Sequence, residues 1–188
     1  MIERKRTTHE TDISLKLRLK GAGRVDVTTG HGFFDHMLHQ LAYHAGMDLN
    51  LKAIGDQTGD HHLVEDVAIC LGDAFQEGWR NQNGLNRFGH TILPMDDALV
   101  MCATDLCGRA YCEVDLKLTR ETVGGLDTEM VPHFFRSFSS ASMINLHLKT
   151  LSGTNHHHVI EAAFKATARA LRQALSQDMI TFSTKGAL

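Results

Sequence analysis

The sequence predicts an α+β fold built from two similar halves. Three observations predict it. Apolar residues alternate at period two in several short runs, the pattern of half-buried strands. They recur at helical spacing in four longer runs. The order of strands, histidine-bearing helix, strand, loop and a helix opening on His-His-x-x-Glu occurs twice, about 97 residues apart, far too long a period for a solenoid. The duplication implies half-domains spanning 1–92 and 93–188, packed about a pseudo-twofold axis as one compact unit.

Taken in order, Thr11 to Leu19 alternates apolar and polar and reads as a strand. Gly21-Ala22-Gly23 turns it, and Val25 and Val27 continue a second strand. Phe33, Phe34, Met37, Leu38, Leu41 and Ala45 fit one face of a helix that Gly46 ends. Leu49, Leu51 and Ala53 form a strand. A helix follows from His61 through Phe75, with Asp60 expected as its N-cap. Beyond Gly84, residues 92–106 and 110–118 read as strands joined through Gly108-Arg109. A helix over about 128–141 carries His133 just after Pro132, which a first turn tolerates. Ile144, Leu146 and Leu148 form a strand, and Gly153-Thr154-Asn155 leads into a last helix through Leu175.

The bulk numbers narrow the class. At 43% apolar residues the chain can bury a real core. A net charge of −3 argues against a nucleic-acid binder, which carries a basic excess. No apolar run approaches a membrane span, and the N-terminus lacks the apolar segment of a signal peptide, so a cytoplasmic protein is expected. None of Cys70, Cys102, Cys107 and Cys112 forms a C-x-x-C pair, which fits reduced thiols.

Histidine is the outlier, with thirteen copies. They gather around His61-His62-Leu63-Val64-Glu65 and His157-His158-Val159-Ile160-Glu161. Residues four apart on a helix lie on one face, so His and Glu at that spacing can reach one cation. The neighbouring His points about 100° away and can serve another. His36 precedes His61 by 25 residues and His133 precedes His157 by 24. Pseudo-symmetry then predicts two ligand sets, His61, Glu65, His133 and His158, and His157, Glu161, His36 and His62. Three imidazoles and a carboxylate suit Mn, Fe, Co or Zn and leave open positions on a six-coordinate ion such as Mn²⁺. His156 extends the second pair and is expected to cap or support. His9, His31, His39, His44, His90 and His147 have no counterpart in the repeat and read as surface or structural.

Several cations could hold an anionic substrate. Arg87 and Arg109 each sit beside a glycine at an element end, and Lys165 follows Glu161 by four residues on the same helix face. Ser183-Thr184-Lys185-Gly186 combines hydroxyls and a lysine, the components of a phosphate cradle, without being a Walker A motif.

These motifs resemble one family closely. Asp35-His36-Met37-Leu38, Gly59 to Asp66, Asn86-Arg87-Phe88-Gly89, His133-Phe134-Phe135, Gly153 to Glu161 with Phe164-Lys165-Ala166, and Ser183 to Gly186 are similar to those of imidazoleglycerol-phosphate dehydratases of histidine biosynthesis, from Glu10 to Gly186. Pro132 and His39 depart from it, where acidic residues are expected, and neither is an expected ligand. The resemblance implies two βββαβα-like repeats, with a four-helix layer on two sheets, as in the second domain of ribosomal protein S5. It implies a homo-24-mer with dimanganese sites formed between subunits. It implies Glu10 as an acid/base residue, with Glu65 and Glu161 the other catalytic carboxylates. Gln40 becomes a substrate contact, and Arg87, Arg109, Lys165, Ser183 and Lys185 become phosphate holders.

The reaction implied is loss of water from D-erythro-imidazole glycerol phosphate to give imidazole acetol phosphate. The C–H proton to be removed is not acidic, because no carbonyl adjoins it. A substrate imidazolate stabilised by two Lewis-acidic ions could expel the hydroxyl and acidify that C–H for a base such as Glu10. Two other readings of the ligands stand beside this one: a different dinuclear metal-dependent hydrolase, or a metal-buffering or nucleic-acid-binding protein of the same fold.

Overall fold

A computed structural model describes residues 1–56 and 58–177. The first half contains β1 (Ile2–Thr7), β2 (Thr11–Arg18), β3 (Val25–Thr28), α1 (Gly32–Ala45), β4 (Asp48–Gly55) and α2 (His61–Arg80). The second contains β5 (Phe88–Met95), β6 (Ala98–Asp105), β7 (Tyr111–Asp115), a small hairpin of β8 (Thr122–Val123) and β9 (Leu126–Asp127), then α3 (Met130–Ser142), β10 (Asn145–Ser152) and α4 (His156–Ala174). One sheet has the order β1-β2-β4-β3 and the other β5-β6-β10-β7. In each, the last pairing is parallel and the rest antiparallel. The two halves are therefore the same βββαβα unit in the same topology, as the α+β reading expected.

The sequence reading needs four corrections. The strand β1 escaped it, because Glu3-Arg4-Lys5-Arg6 carries charge on both faces. Residues 92–106 are not one strand but the hairpin of β5 and β6, turning at Asp96, whose φ is 47°. Residue 92 lies inside β5, so the halves meet in the connection between α2 and β5 rather than after residue 92. Asp60 does not cap α2: its backbone is already helical and its side chain bonds no free N–H. Asn155 does cap α4, its Oδ1 accepting from the amides of His157 and His158.

Alternation explains the layers. Along β2, Thr11, Ile13, Leu15 and Leu17 are buried, while Asp12, Ser14, Lys16 and Arg18 face solvent. The buried faces of both sheets meet the helices. The helices pair across the halves, α1 against α4 and α2 against α3. Phe34 of α1, Phe75 of α2, Phe134, Phe135 and Phe138 of α3 and Phe164 of α4 fill the centre of this layer, with ring centroids 4.7 Å apart for Phe135 and Phe164. Close approach of α2 to α3 depends on Gly72, where a Cβ would lie 2.6 Å from that of Ala141. Burial pushes the thiols of Cys70 and Cys112 up to about 11 and that of Cys102 up to about 12, so all three stay protonated and inert. Among the described residues no helix is long and apolar enough to cross a membrane.

Strand β5 lies so close to α4 that a Cβ on Gly89 would collide with the Ala170 carbonyl oxygen. Backbone cannot yield as a flexible side chain can. Gly89→Ala is expected to destabilise the fold by about 3 kcal/mol, read as a lower urea midpoint at matched protein concentration. An unchanged midpoint would mean that β5 and α4 separate without cost.

Candidate metal centre

Each cross-half helix pair carries one ligand cluster near the N-terminal ends of α2 and α4. Helical spacing puts His61 and Glu65 on one face of α2, and packing of α3 brings His133 to the same place. The Nε2 atoms of His61 and His133 lie 3.5 and 3.7 Å from the same Glu65 oxygen. On the other pair, His157 and Glu161 of α4 meet His36 of α1. Their Nε2 atoms lie 3.2 and 3.4 Å from one Glu161 oxygen. In each cluster three ligand atoms fall within 4.8 Å of one another. Two imidazoles and a carboxylate converging on one point are the donor set of a divalent transition metal. Among the described residues the buried Nε2 of His133 has no hydrogen-bond partner, a costly arrangement for a polar atom unless something else occupies that side.

Three of the four ligands expected for each ion thus come together within one chain, and the fourth does not. Instead, the Nδ1 of His62 lies 3.0 Å from Asp56 and its Nε2 3.5 Å from Glu10. The hydrogen bond to Asp56 raises the His62 pKa against the opposing effect of burial, and Glu10 adds to the rise. His158 has its Nδ1 2.7 Å from Asp97 and its Nε2 3.4 Å from Asp96. Asp97 also accepts from the amides of Thr154 and Asn155, and these bonds with His158 hold its carboxyl well below the usual range. Sequence reasoning missed Asp56, Asp96 and Asp97. They are loop residues close to the ligands only in the fold.

The two clusters are not equal. Burial opposes the charge on Glu161, but the Lys165 ammonium, 2.6 Å from its second oxygen, and His36 outweigh that and lower its pKa. At the position equivalent to Lys165, α2 carries Ile69. The Glu161 side chain is 7% exposed and that of Glu65 is 38%.

The other expected site residues divide by position. Gln40 sits on α1 beside the second cluster, bonding His36 weakly and His44 at 3.1 Å. Lys165 also borders the second cluster, through Glu161, and Glu10 faces His62 beside the first. Arg87 and Arg109 do not. The Arg87 amide donates to the Ala174 carbonyl at the far end of α4, about 20 Å along the helix from Glu161. Its guanidinium makes a bidentate pair with Asp105, at 2.6 and 3.0 Å. Arg109 follows Gly108, which lies beside Arg80 at the C-terminal end of α2. Ser183 and Lys185 lie outside the described residues.

Three of the remaining histidines have structural surroundings. His31 caps α1, its Nδ1 accepting from the Phe34 amide, and His39 stacks on Tyr43. His156 is buried and accepts from the Arg120 amide, so it supports the loop before α3 rather than capping α4.

Comparisons with known proteins place the chain in one family. A family model of imidazoleglycerol-phosphate dehydratase matches residues 29–171. The imidazoleglycerol-phosphate dehydratase of a Jannaschia species is 50% identical, over 97% of this chain and 96% of its own. A histidine biosynthesis bifunctional protein of Legionella pneumophila is 48% identical over 97% of this chain, which spans about half of that protein. The crystal structure of the Pyrococcus furiosus dehydratase matches 98% of this chain and all of its own, with a TM-score of 0.86 and 37% identity. Paired histidine motifs at the repeat spacing, a duplicated fold and matches of this extent have one explanation: the chain belongs to the imidazoleglycerol-phosphate dehydratase family, hydro-lyases of histidine biosynthesis.

Proposed function

We propose that the chain removes water from D-erythro-imidazole glycerol phosphate to give imidazole acetol phosphate, in the cytoplasm, at a site holding two divalent ions, Mn²⁺ first among them. The site assembles between copies of the chain in a homo-24-mer. One observation carries this reading. Each cluster brings together three candidate ligands, while His62 and His158 turn to Asp56 and Asp97 and Arg87 and Arg109 lie towards the far ends of α4 and α2. A second copy of the chain can supply what the first lacks, with His62 and His158 as the fourth ligands.

His36, His157 and Glu161 would hold one ion and His61, Glu65 and His133 the other. When bound, the ions supply Lewis acidity towards the ring nitrogens of the substrate. The chain's own groups do the rest. Gln40 and Lys165 border the second cluster and can orient the glycerol chain. Arg87 and Arg109, with Ser183 and Lys185, grip the phosphate, so that remote binding fixes the reacting carbons. Glu10 projects from the turn between β1 and β2, beside His62, with its side chain half exposed. As an acid/base residue it would give its proton to the departing hydroxyl, which leaves as water, and its carboxylate would then take the C–H proton, so that it ends protonated as it began. The enol left behind becomes the ketone.

Turnover by metal-stripped protein, before and after adding Mn²⁺, tests the reading, with particle size measured on the same samples. The stripped protein should be inactive, and Mn²⁺ should restore the acetol product together with growth to a large shell. Metal uptake and assembly without product would overturn the dehydration and favour a hydrolase.

A further inference from the structure

The structure assigns Asp66 as the positioning residue that fixes the turn carrying Glu10, acting through Thr11 and Arg6. Asp66 follows Glu65 on α2 but faces inward, and it is 7% exposed. One of its oxygens accepts from Arg6 Nε at 2.8 Å, and the other accepts from the Thr11 hydroxyl at 2.5 Å. Arg6 lies near the end of β1 and Thr11 opens β2, so one carboxylate ties both legs of the hairpin to the helix of the first metal cluster. Within the turn, the Thr8 hydroxyl accepts from the amides of Glu10 and Thr11 at 3.1 and 2.9 Å. The Asp56 amide donates to the Glu10 carbonyl at 2.7 Å. The Glu10 backbone is thus held on every side, while its carboxylate remains half exposed.

The second half shows what this corner needs for packing alone. The strand registers align Arg6 with Leu93 and Thr11 with Ala98, and the His-His-x-x-Glu motifs align Asp66 with Ala162. An apolar trio therefore builds the same corner in the same topology. A buried carboxylate costs more than an apolar contact unless fully paired, so stability does not call for the polar version. The halves also differ in how they treat the acid at the hairpin tip. Glu10 and Asp97 occupy equivalent turn positions, beside His62 and His158 respectively. Asp97 has its own carboxylate pinned by two backbone amides, from Thr154 and Asn155. Glu10 has a pinned backbone, and among the described residues its half-exposed carboxylate faces only His62, at 3.5 Å. That arrangement suits a group that must move a proton from a fixed place.

The proposal rests on the reading of Glu10 as the acid/base residue, and its test separates the two. Arg6→Leu, Thr11→Ala and Asp66→Ala together install the residues of the second half. In the assembled, Mn-loaded variant kcat should fall by about 100-fold, while KM and metal content change by less than about twofold. The amides of Glu10 and Thr11 should exchange hydrogen faster, with those of α4 unchanged. In a Glu10→Gln background the same three changes should lower kcat no further. An unaltered kcat in the triple variant beside an inactive Glu10→Gln overturns the positioning role alone, and so does a loss that persists in full in the Glu10→Gln background. Normal turnover by Glu10→Gln overturns the acid/base reading itself. Should the triple variant not assemble, Thr11→Val removes only the hydroxyl. It should lower kcat by about tenfold, and an unchanged kcat would overturn the proposal.

Discussion

Replacing Glu10 by Gln is expected to lower kcat by roughly 1,000-fold, with KM and metal content close to those of the parent chain. The bonds that shape this turn go to backbone atoms of Glu10, from its amide to Thr8 and from the Asp56 amide to its carbonyl. A Gln side chain leaves them in place. It also keeps an oxygen to face His62, which lies 3.5 Å from the carboxylate. What it lacks is the capacity to take a proton from carbon. The loss should therefore fall on kcat, since the groups proposed to hold substrate and metal are other ones. Steady-state kinetics with metal analysis on the same preparation reads this directly. A turnover number within a few-fold of the parent value would remove Glu10 from the reaction.

Most of the fold was legible in the sequence because it is written twice. Alternation and helical spacing located β2, β3, β4 and all four helices, and the repeated motif joined them into two halves. The failures have local causes. In β1 the inward positions are Ile2, Arg4 and Arg6, so the strand carries almost no apolar signal. The hairpin at Asp96-Asp97 contains no glycine. An aspartate takes the left-handed backbone there, which composition alone does not reveal.

The site was legible to the same depth. Helix geometry pairs His61 with Glu65 and His157 with Glu161, and the repeat adds His133 and His36; the fold brings each of these threesomes to one place. The placement of His62 and His158 could not be read from one chain. Their partners Asp56 and Asp97 lie on loops with no periodicity to follow. Asp66 was invisible for another reason. It sits inside the best motif in the sequence, and only its mismatch with Ala162 of the second copy sets it apart.

His61→Ala and His157→Ala are each expected to weaken metal binding by at least about 100-fold at one class of site, and to shift the assembled particle towards small species. Each change removes one of the two imidazoles that face a single carboxylate oxygen, at 3.5 Å in the first cluster and 3.2 Å in the second. Both side chains are about half exposed, so neither truncation opens a cavity in the phenylalanine core, and the helix content of the chain should not change. The consequences should nevertheless differ. Without His157, Glu161 stays paired with Lys165 and His36 and remains charged in place. Without His61, Glu65 keeps only His133 among the described residues, and the Nε2 of His133 has no hydrogen-bond partner among them. The first cluster should then lose its ion more completely than the second. Metal titration with particle sizing separates these outcomes. Two variants with full metal content and unchanged particle size would show that neither cluster holds an ion or joins copies of the chain. Loss of metal with the shell intact would show that contacts other than the ions hold the copies together.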